Sequence, residues 1–452
     1  MNGALLACRL WVGVMAVAMA SAGGCAGLAE VEPAAEPGSV IFFHPDGTSA
    51  SNWLALRNVK VGPDADLEWD KLPAMALYRG HMRNSLTATS NGGATAHAFG
   101  VKPFHDAFGL MGGPDPQPIV DEQGRSLSIA DQAMRAGLSV GLVQSGSAIE
   151  PGTACFVTRV EKRAMHDEIA VQLIESGAEV LLSGGERHFL PRGVEGRHGK
   201  GDRADDRNLI TEAREAGYAV VFNLEELEEL PDDTDKVLGL FASYHTFNDR
   251  PEEYLREHDL PMYVPDAPTI AEMTEQALRI LTAKDRRFLL VVEEEGTDNF
   301  GNNNNAAGFL EAAHRADEAI GLLRRYVADH PRTLLVTAAD SDGGGLRVNG
   351  YPKGFAPDIV PPRNANGAPM DGIEGTGTPP FTAAPDQFGQ RLKFAITWAA
   401  RDDVSGGILV RGEGLNSHLI RGSFDNTDIT ELMRVTLFGN GKVQGESADR
   451  QP

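Results

Sequence analysis

The sequence predicts an α/β fold with a doubly wound, mostly parallel central sheet and helices on both faces. Two observations support this prediction. Short apolar runs such as 39–43 (SVIFF) and 288–293 (FLLVVE) recur along the chain, and segments with helical periodicity separate them. Strands that are apolar throughout are buried on both faces, which requires helices above and below a parallel sheet.

The predicted elements alternate in order along the chain. The first strand, 39–43, ends in the turn-prone segment HPDGTS. Five helix-to-strand pairs follow it: 128–137 with 139–144, 166–177 with 179–185, 208–217 with 219–222, 270–281 with 288–293, and 308–330 with 333–340. Since no linker interrupts this alternation, residues 39–452 are predicted to form a single domain. The Pro- and Gly-rich stretch 346–400 breaks the pattern and is predicted to be a crown over the site rim.

The N-terminus predicts export. Residues 1–25 combine Arg9, an apolar run and small residues before Cys25, as in a lipoprotein-type signal peptide with a lipobox. Residues 26–38 would form a polar tether, and a lipid on Cys25 would be the only membrane contact of a periplasmic or outer-membrane lipoprotein. A plain signal peptide is the alternative, and the run is short for a retained transmembrane helix.

Charge excludes one class of partner. The chain has 64 acidic against 41 basic residues and a formal net charge of -23, so nucleic-acid binding is not expected. An acidic surface also repels anionic substrates, and a site for such substrates therefore needs local cations.

Three acidic residues follow predicted strands. Asp46, Glu293 and Asp340 stand at carboxyl ends, where parallel sheets place their ligand sites. Clustered carboxylates repel one another unless a cation lies between them. An aspartate at a strand end can also serve only as a helix N-cap, but three such acids together favour a cation site.

The motifs along the chain resemble those of the alkaline phosphatase family, in family order and over nearly the whole mature chain. They are HPDGTSASNW, TSNGGATAHAFGVK, LLSGGERHF, APTIAEMTEQAL, VVEEEGTDNFGNNNNAAGFLEAAHRADEAI, LLVTAADSDGGGL and FDNTDI. The resemblance implies an alkaline phosphatase-like fold and a metal-dependent phosphate monoester hydrolase, with a small phosphate ester as substrate. It also implies, by analogy alone, a possible homodimer.

The resemblance assigns two residues to catalysis. Ser90 matches the attacking serine, with glycines that let its hydroxyl emerge at a helix N-terminus, and a phosphoserine intermediate would form there. Arg163 matches the arginine that grips phosphate oxygens through its planar fork. Without the resemblance, Ser90 would be a turn residue and Arg163 a surface arginine.

The resemblance also assigns cation ligands. Asp46 would bridge two cations, and Asp340 would hold the cation beside the serine. Glu293 takes the magnesium-like position and Asp298 the outer cation, which leaves Glu294 and Glu295 in supporting or solvated positions. Glu150 aligns near the magnesium-like site, where Gly152 replaces an expected threonine, so that Glu150 or Thr153 is the substitute.

The family's zinc-binding histidines are missing. The matching positions are Asn302, Ser341 and Arg401 or a neighbour, and Asp402 or Asp403 are further candidates for the outer cation, with Asp342 a candidate beside Ser90. Packing or solvent contact is the interpretation for the nearby histidines His44, His97 and His418. Two or three divalent cations are expected: Mg²⁺ and Zn²⁺ by resemblance, with Ca²⁺ or Mn²⁺ favoured by the oxygen-rich ligands.

Three functions remain open from the sequence. The first is an active phosphatase with harder cations, favoured because Ser90, Arg163 and the acids are retained together. The second is a catalytically silent cation- or phosphate-binding relic, which the loss of the histidines favours. The third is a related phosphodiesterase or sulfatase.

Overall fold

The computed structural model describes residues 37–439, so the predicted signal peptide and almost all of the tether lie outside the described residues. A ten-stranded sheet in the order β16-β2-β15-β8-β1-β7-β3-β4-β6-β5 forms its centre. The strands are β1 Ser39–Pro45, β2 Ala74–Arg79, β3 Ser139–Ser147, β4 Val180–Gly184, β5 Tyr218–Val221, β6 Lys236–Leu240, β7 Phe288–Glu294, β8 Thr333–Thr337, β9 Asp342–Gly343, β10 Arg347–Tyr351, β11 Met370–Asp371, β12 Phe381–Thr382, β13 Lys393–Thr397, β14 Asp403–Val404, β15 Leu409–Gly414 and β16 Arg421–Asp425.

The central sheet is mostly parallel, as predicted. β1 lies between β7 and β8 and is parallel to both, and the parallel arrangement continues through β3, β4, β6 and β5. Only β15 runs against its neighbours in this sheet, since it pairs antiparallel with β8 and with β2. The sequence interpretation did not include β2, β6, β15 or β16.

Helices cover both faces of the sheet. They are α1 Ala50–Lys60, α2 Ser90–Phe99, α3 Ile129–Arg135, α4 Pro151–Ala154, α5 His166–Glu175, α6 Leu209–Glu215, α7 Leu224–Glu228, α8 Glu252–Glu257, α9 Ile270–Ala283, α10 Gly296–Asn302, α11 Ala306–Asp329 and α12 Asn426–Phe438. α9 begins at a capping box: the Glu272 carboxylate accepts from Thr269 N (2.7 Å), and Thr269 Oγ1 accepts from Glu272 N (3.2 Å).

Alternate residues of β1 belong to different cores. Val40 and Phe42 pack with α2, α3, α5, α6 and α12, whereas Ile41 and Phe43 pack with α1, α7, α9, α10 and α11. Since successive side chains of a strand point to opposite faces, this partition confirms the predicted doubly wound α/β fold.

The stretch 346–400 contains a second, smaller sheet. β10, β11 and β12 each pair antiparallel with β13. Trp398, which follows β13, donates its indole N–H to Asp371 Oδ2 (2.5 Å) and is buried. Between residues 37 and 439, no helix is both long and apolar enough to cross a membrane.

The first residue of α8, Glu252, is a buried glutamate that lies near the 346–400 stretch. Glu252 Oε1 accepts from Ala307 N (3.0 Å), whereas Oε2 has no hydrogen-bond partner among the described residues. Burial, together with the charge of Asp371, raises the pKa of Glu252 to about 8. The folded protein therefore holds a proton on Glu252 at neutral pH.

We expect Glu252→Gln to remove a pH dependence of stability. Between pH 4.5, the ordinary pKa of the carboxyl, and about pH 8, the folded state binds a proton that the unfolded chain has lost, so stability falls as pH rises. Between pH 6 and pH 9, the free energy of unfolding of the wild type should therefore fall by about 1–3 kcal/mol more than that of the variant. Urea denaturation at both pH values measures this change. The exposed Glu257→Gln on the same helix is the control and should track the wild type; equal pH dependence in all three proteins would contradict the expectation.

Candidate active site

Three adjacent strands deliver acids to one edge of the sheet. Asp46 follows β1, Glu293 is near the end of β7, and Asp340 lies three residues beyond β8. Asp46 N donates to Glu294 O (3.2 Å), which ties the first loop to the neighbouring strand. All three carboxylates are buried, with exposed fractions of 2% or less. The structure thus brings together the three acids that the sequence analysis placed at strand ends.

Most oxygens of this acidic cluster lack partners. Several buried polar atoms make no hydrogen bond within the described residues: Asp46 Oδ2, Glu293 Oε1 and Oε2, Asp298 Oδ1, Asp340 Oδ1 and Oδ2, and Ser341 Oγ. Buried carboxylates without partners are costly unless a cation or a proton neutralises them. The residues present therefore fit divalent cations, and the donor atoms are chiefly carboxylate oxygens.

The carboxylates shift one another's pKa values. Burial raises the pKa of Glu293 to about 8, with the Asp46 charge adding to the shift and His44 opposing it. Burial also raises the pKa values of Asp298 and Asp340 well above their ordinary value, and both again feel the Asp46 carboxylate. Raised pKa values mean that a cation competes with protons for Glu293, Asp298 and Asp340, so cation binding is favoured by higher pH.

His44 belongs to the cluster, contrary to its interpretation as a packing residue. Its Nε2 lies 3.1 Å from Asp46 Oδ1 and 3.9 Å from Glu293 Oε1, and the ring is 1% exposed. Burial alone would lower the pKa of His44, but Asp46, with help from Asp340 and Glu293, raises it to about 10. By contrast, His97 bonds through Nε2 to the Tyr78 hydroxyl (2.7 Å) within the core, and His418 is exposed.

A second group of acids forms around Asp298. The β9–β14 ladder aligns Asp403 with Gly343, and the absent side chain of Gly343 leaves room for Asp298: a Cβ there would lie 2.6 Å from Asp298 Oδ1. Asn302 Nδ2 donates to Asp298 Oδ2 (2.9 Å) and to Asp403 Oδ1 (3.0 Å). Asp403 is therefore the residue near Arg401 that joins the site, whereas Arg401 and Asp402 are exposed.

Asn302 contributes donors in this arrangement. Its carbonyl oxygen accepts from Gly344 N (2.8 Å), so its amide N–H groups face the two carboxylates. Its assignment as a cation ligand stays a prediction. Ser341, next to Asp340, is buried with a hydroxyl that is available to a cation. Asp342 instead forms an ion pair with Arg347 (3.0 Å), and its assignment beside Ser90 stays a prediction.

Ser90 is the first residue of α2. Thr89 caps the helix, with its Oγ1 accepting from Gly92 N (3.2 Å), so α2 begins where the resemblance placed the nucleophile. Gly93 follows Ser90 by three residues and therefore lies on the same face of α2. This glycine packs on Asp340, since a Cβ at Gly93 would lie 2.4 Å from Asp340 Oδ2. The free N–H groups of this helix end favour an anion near Ser90.

Arg163 lies in the turn before α5. Its side chain is 43% exposed, and its guanidinium forms an ion pair with Glu150 Oε2. Tyr244 OH donates to the other oxygen of Glu150 (3.3 Å). Burial opposes the charge of Glu150, but Arg163 lowers its pKa below the ordinary value. Both oxygens of Glu150 are thus engaged, and its predicted role as a cation ligand stays untested.

The remaining two acids of the VEEE segment are buried. Ser145 Oγ donates to Glu294 Oε1 (2.7 Å) and accepts from Glu295 N (3.0 Å). Burial raises the pKa of Glu295 well above its ordinary value, and the charges of Glu293 and Glu150 add to this. Glu294 is therefore held in a supporting position, and neither Glu294 nor Glu295 is solvated.

Fold and site define an α/β protein in which a buried acidic cluster and the N-terminus of a helix lie at the carboxyl edge of a parallel sheet. Sequence comparison gives the particular family. The alkaline phosphatase family model matches residues 38–438, and the chain belongs to that family.

Individual relatives are distant. The chain is 28% identical to a membrane-bound alkaline phosphatase of Bombyx mori over 353 residues, which are 70% of this chain and 62% of that protein. It is 28% identical to the tissue-nonspecific alkaline phosphatase of Rattus norvegicus over 404 residues, 81% of this chain and 72% of that protein. The chain thus spans less than two thirds of the silkworm protein.

Solved structures share the fold. The alkaline phosphatase of the Antarctic bacterium TAB5 superposes with a TM-score of 0.68 at 18% identity, covering 90% of this chain and 99% of that one. The Thermus thermophilus alkaline phosphatase gives a TM-score of 0.68 at 22% identity, covering 91% and 93%. The comparisons agree with the alkaline phosphatase-like fold that the motifs implied.

Proposed function

We propose that this protein is a metal-dependent phosphate monoester hydrolase that acts through a phosphoserine intermediate at Ser90. One observation carries the proposal: buried carboxylates without partners gather beside the helix end that begins at Ser90. A merely structural cluster would not leave so many oxygens unpaired, because each unpaired group opposes folding. Family membership gives the same reaction class.

Each residue of the site has a role in this reaction. Ser90 Oγ attacks phosphorus in line with the leaving alcohol, whose P–O bond breaks, and water later hydrolyses the phosphoserine. The N-terminal N–H groups of α2 and the Arg163 guanidinium stabilise the equatorial oxygens. Asp46, Asp298, Asp340 and Asp403 would hold divalent cations, which supply a lowered serine pKa and charge for the leaving oxygen.

We propose two or three divalent cations as cofactors. Magnesium and zinc follow from the family, and a variant of the TAB5 enzyme has been solved with magnesium bound. The oxygen donors of Asp298, Asp403 and Ser341 favour Ca²⁺, Mg²⁺ or Mn²⁺ at the outer position. The proposed export and lipid anchor at Cys25 would place this chemistry outside the cytoplasm.

Cation removal and refilling test the proposal. Purified protein is treated with a chelator, and Ca²⁺, Mg²⁺, Mn²⁺ and Zn²⁺ are added back separately and in pairs. A phosphate monoester, a phosphodiester and a sulfate ester are the substrates. We expect monoester hydrolysis that chelation abolishes and that at least one cation restores. Hydrolysis of the diester or sulfate ester alone would identify a related esterase, and no hydrolysis with any cation would identify a catalytically silent relic.

Glu150→Ala should weaken substrate binding more than the chemical step. Without Glu150, Arg163 loses the carboxylate that orients it, so we expect KM for the monoester to rise about tenfold, with kcat changed less than threefold. Steady-state kinetics, together with metal analysis, measure both effects. Glu161→Ala is the control, since Glu161 is exposed in the same turn. Loss of a bound cation from Glu150→Ala would instead support the ligand role that the sequence predicted.

A further inference from the structure

The His44 ring has one orientation that its neighbours fix. Nδ1 lies 2.7 Å from the backbone oxygen of Ala338, and this carbonyl can only accept a hydrogen bond. Nδ1 therefore keeps its proton in both charge states of the ring, and Nε2 is the atom that offers a lone pair once its own proton is released. Nε2 lies on the side of Asp46 and Glu293, 3.1 Å from Asp46 Oδ1, where a bound cation would take the place of the Nε2 proton.

The three side chains match the spacing of a metal site. One ligand atom each from His44, Asp46 and Glu293 lies within 4.8 Å of the other two, and all three residues are buried. Metal-binding histidines commonly donate their second ring N–H to a backbone carbonyl, which fixes the tautomer and the ring plane. Ala338 serves this purpose on a rigid element, since it directly follows β8, the neighbour of β1.

We propose that His44 is the nitrogen ligand of a cation shared with Asp46 and Glu293, and that this position selects a borderline divalent metal such as Mn²⁺, Co²⁺ or Zn²⁺ over Mg²⁺ and Ca²⁺. Imidazole nitrogen suits these metals, whereas an all-oxygen set suits the harder cations. The neighbouring group of Asp298, Asp403 and Ser341 contains only oxygen donors. The protein therefore has two cation positions of different preference, with the nitrogen at the position that the resemblance assigned to magnesium.

This inference deepens the proposed cation dependence but does not need catalysis for its test. Chelated protein labelled with ¹⁵N-histidine is titrated with Zn²⁺, which is diamagnetic. We expect the Nε2 resonance of one histidine to move on binding, and this shift to be absent in His44→Asn. The asparagine amide can still donate to Ala338 O but offers no ligand atom at the Nε2 position.

Calorimetric titration of the chelated proteins gives the selectivity. We expect His44→Asn to lose at least about tenfold in affinity for Zn²⁺ and Mn²⁺ at one site, with Mg²⁺ and Ca²⁺ affinities changed less than threefold. The control is His330→Asn, because the Nδ1 of this exposed histidine at the end of α11 likewise lies 2.8 Å from a backbone oxygen, that of Tyr326, and its ring does not contact His44. It should retain the wild-type zinc affinity and the shifted resonance.

The outcomes separate this inference from the proposed function. An unmoved His44 resonance, or equal zinc and manganese affinity in wild type and His44→Asn, overturns the ligand assignment. If His44→Asn does not fold, Glu293→Gln replaces it. If zinc still shifts the His44 Nε2 resonance in Glu293→Gln with the affinity of the wild type, the shared site is overturned. Absence of monoester hydrolysis in refilled wild type, with the His44 shift intact, would defeat the proposed function and leave the metal site standing.

Discussion

Ser90→Ala is expected to lower kcat for phosphate monoester hydrolysis by on the order of 10³-fold or more, because it removes the atom that attacks phosphorus. Ser90 lies at the first position of α2, where Thr89 caps the helix. Alanine keeps this helix start, so the cation sites and the fold should be retained. The expected loss therefore reports nucleophilic chemistry rather than unfolding.

Two measurements distinguish this result from a general defect. Mass spectrometry of acid-quenched wild type should detect phosphate on the peptide containing Ser90, and the variant should show none. Metal content should equal that of wild type. Ser423→Ala, an exposed serine on β16, is the matched control and should keep full activity. If Ser90→Ala retains activity within tenfold of wild type, water attacks directly and the phosphoserine step is wrong.

The sequence predicted the fold well where patterns are local. Strands such as β1 and β7 are buried throughout and have continuous apolar runs, and the amphipathic α9 and α11 lie beside them in the chain, so periodicity identifies the parallel layers. β15 and β2 were missed because they are partly exposed, and because their pairing joins residues more than 300 positions apart. No local pattern encodes such a register.

The site, too, was predictable where it depends on local sequence and not where it depends on long-range pairing. Acids at the ends of β1, β7 and β8 were predictable, since adjacent parallel strands deliver their carboxyl ends to one edge. Asp403 could not be chosen over Arg401 or Asp402, because the two-residue ladder with β9 decides which side chain turns inward. His44 was interpreted as a packing residue because a lone histidine in an apolar strand usually is one. The available signal was its position two residues before Asp46, which places both side chains on the same face.

Gly152→Ala is expected to remove one bound cation and to lower cation affinity by about 10²-fold. Gly152 lies in α4 against Glu293, and a Cβ there would lie 1.5 Å from Glu293 Oε1 and 2.1 Å from its Cδ. Glu293 is fully buried on β7, and its carboxylate must move away from the position beside Asp46 and His44 to make room for this methyl group. Since alanine is the better helix former, α4 itself should not be weakened.

Gly350→Ala is the matched control, because a Cβ at Gly350 on β10 meets no atom within 4 Å. Metal analysis and calorimetric titration of both variants, with circular dichroism to verify the fold, measure the difference. A clash of this size acts through the ligand and not through the backbone, so Gly152→Ala should lose metal and monoesterase activity together while its secondary structure persists. Wild-type metal content in Gly152→Ala would show that Glu293 does not hold a cation.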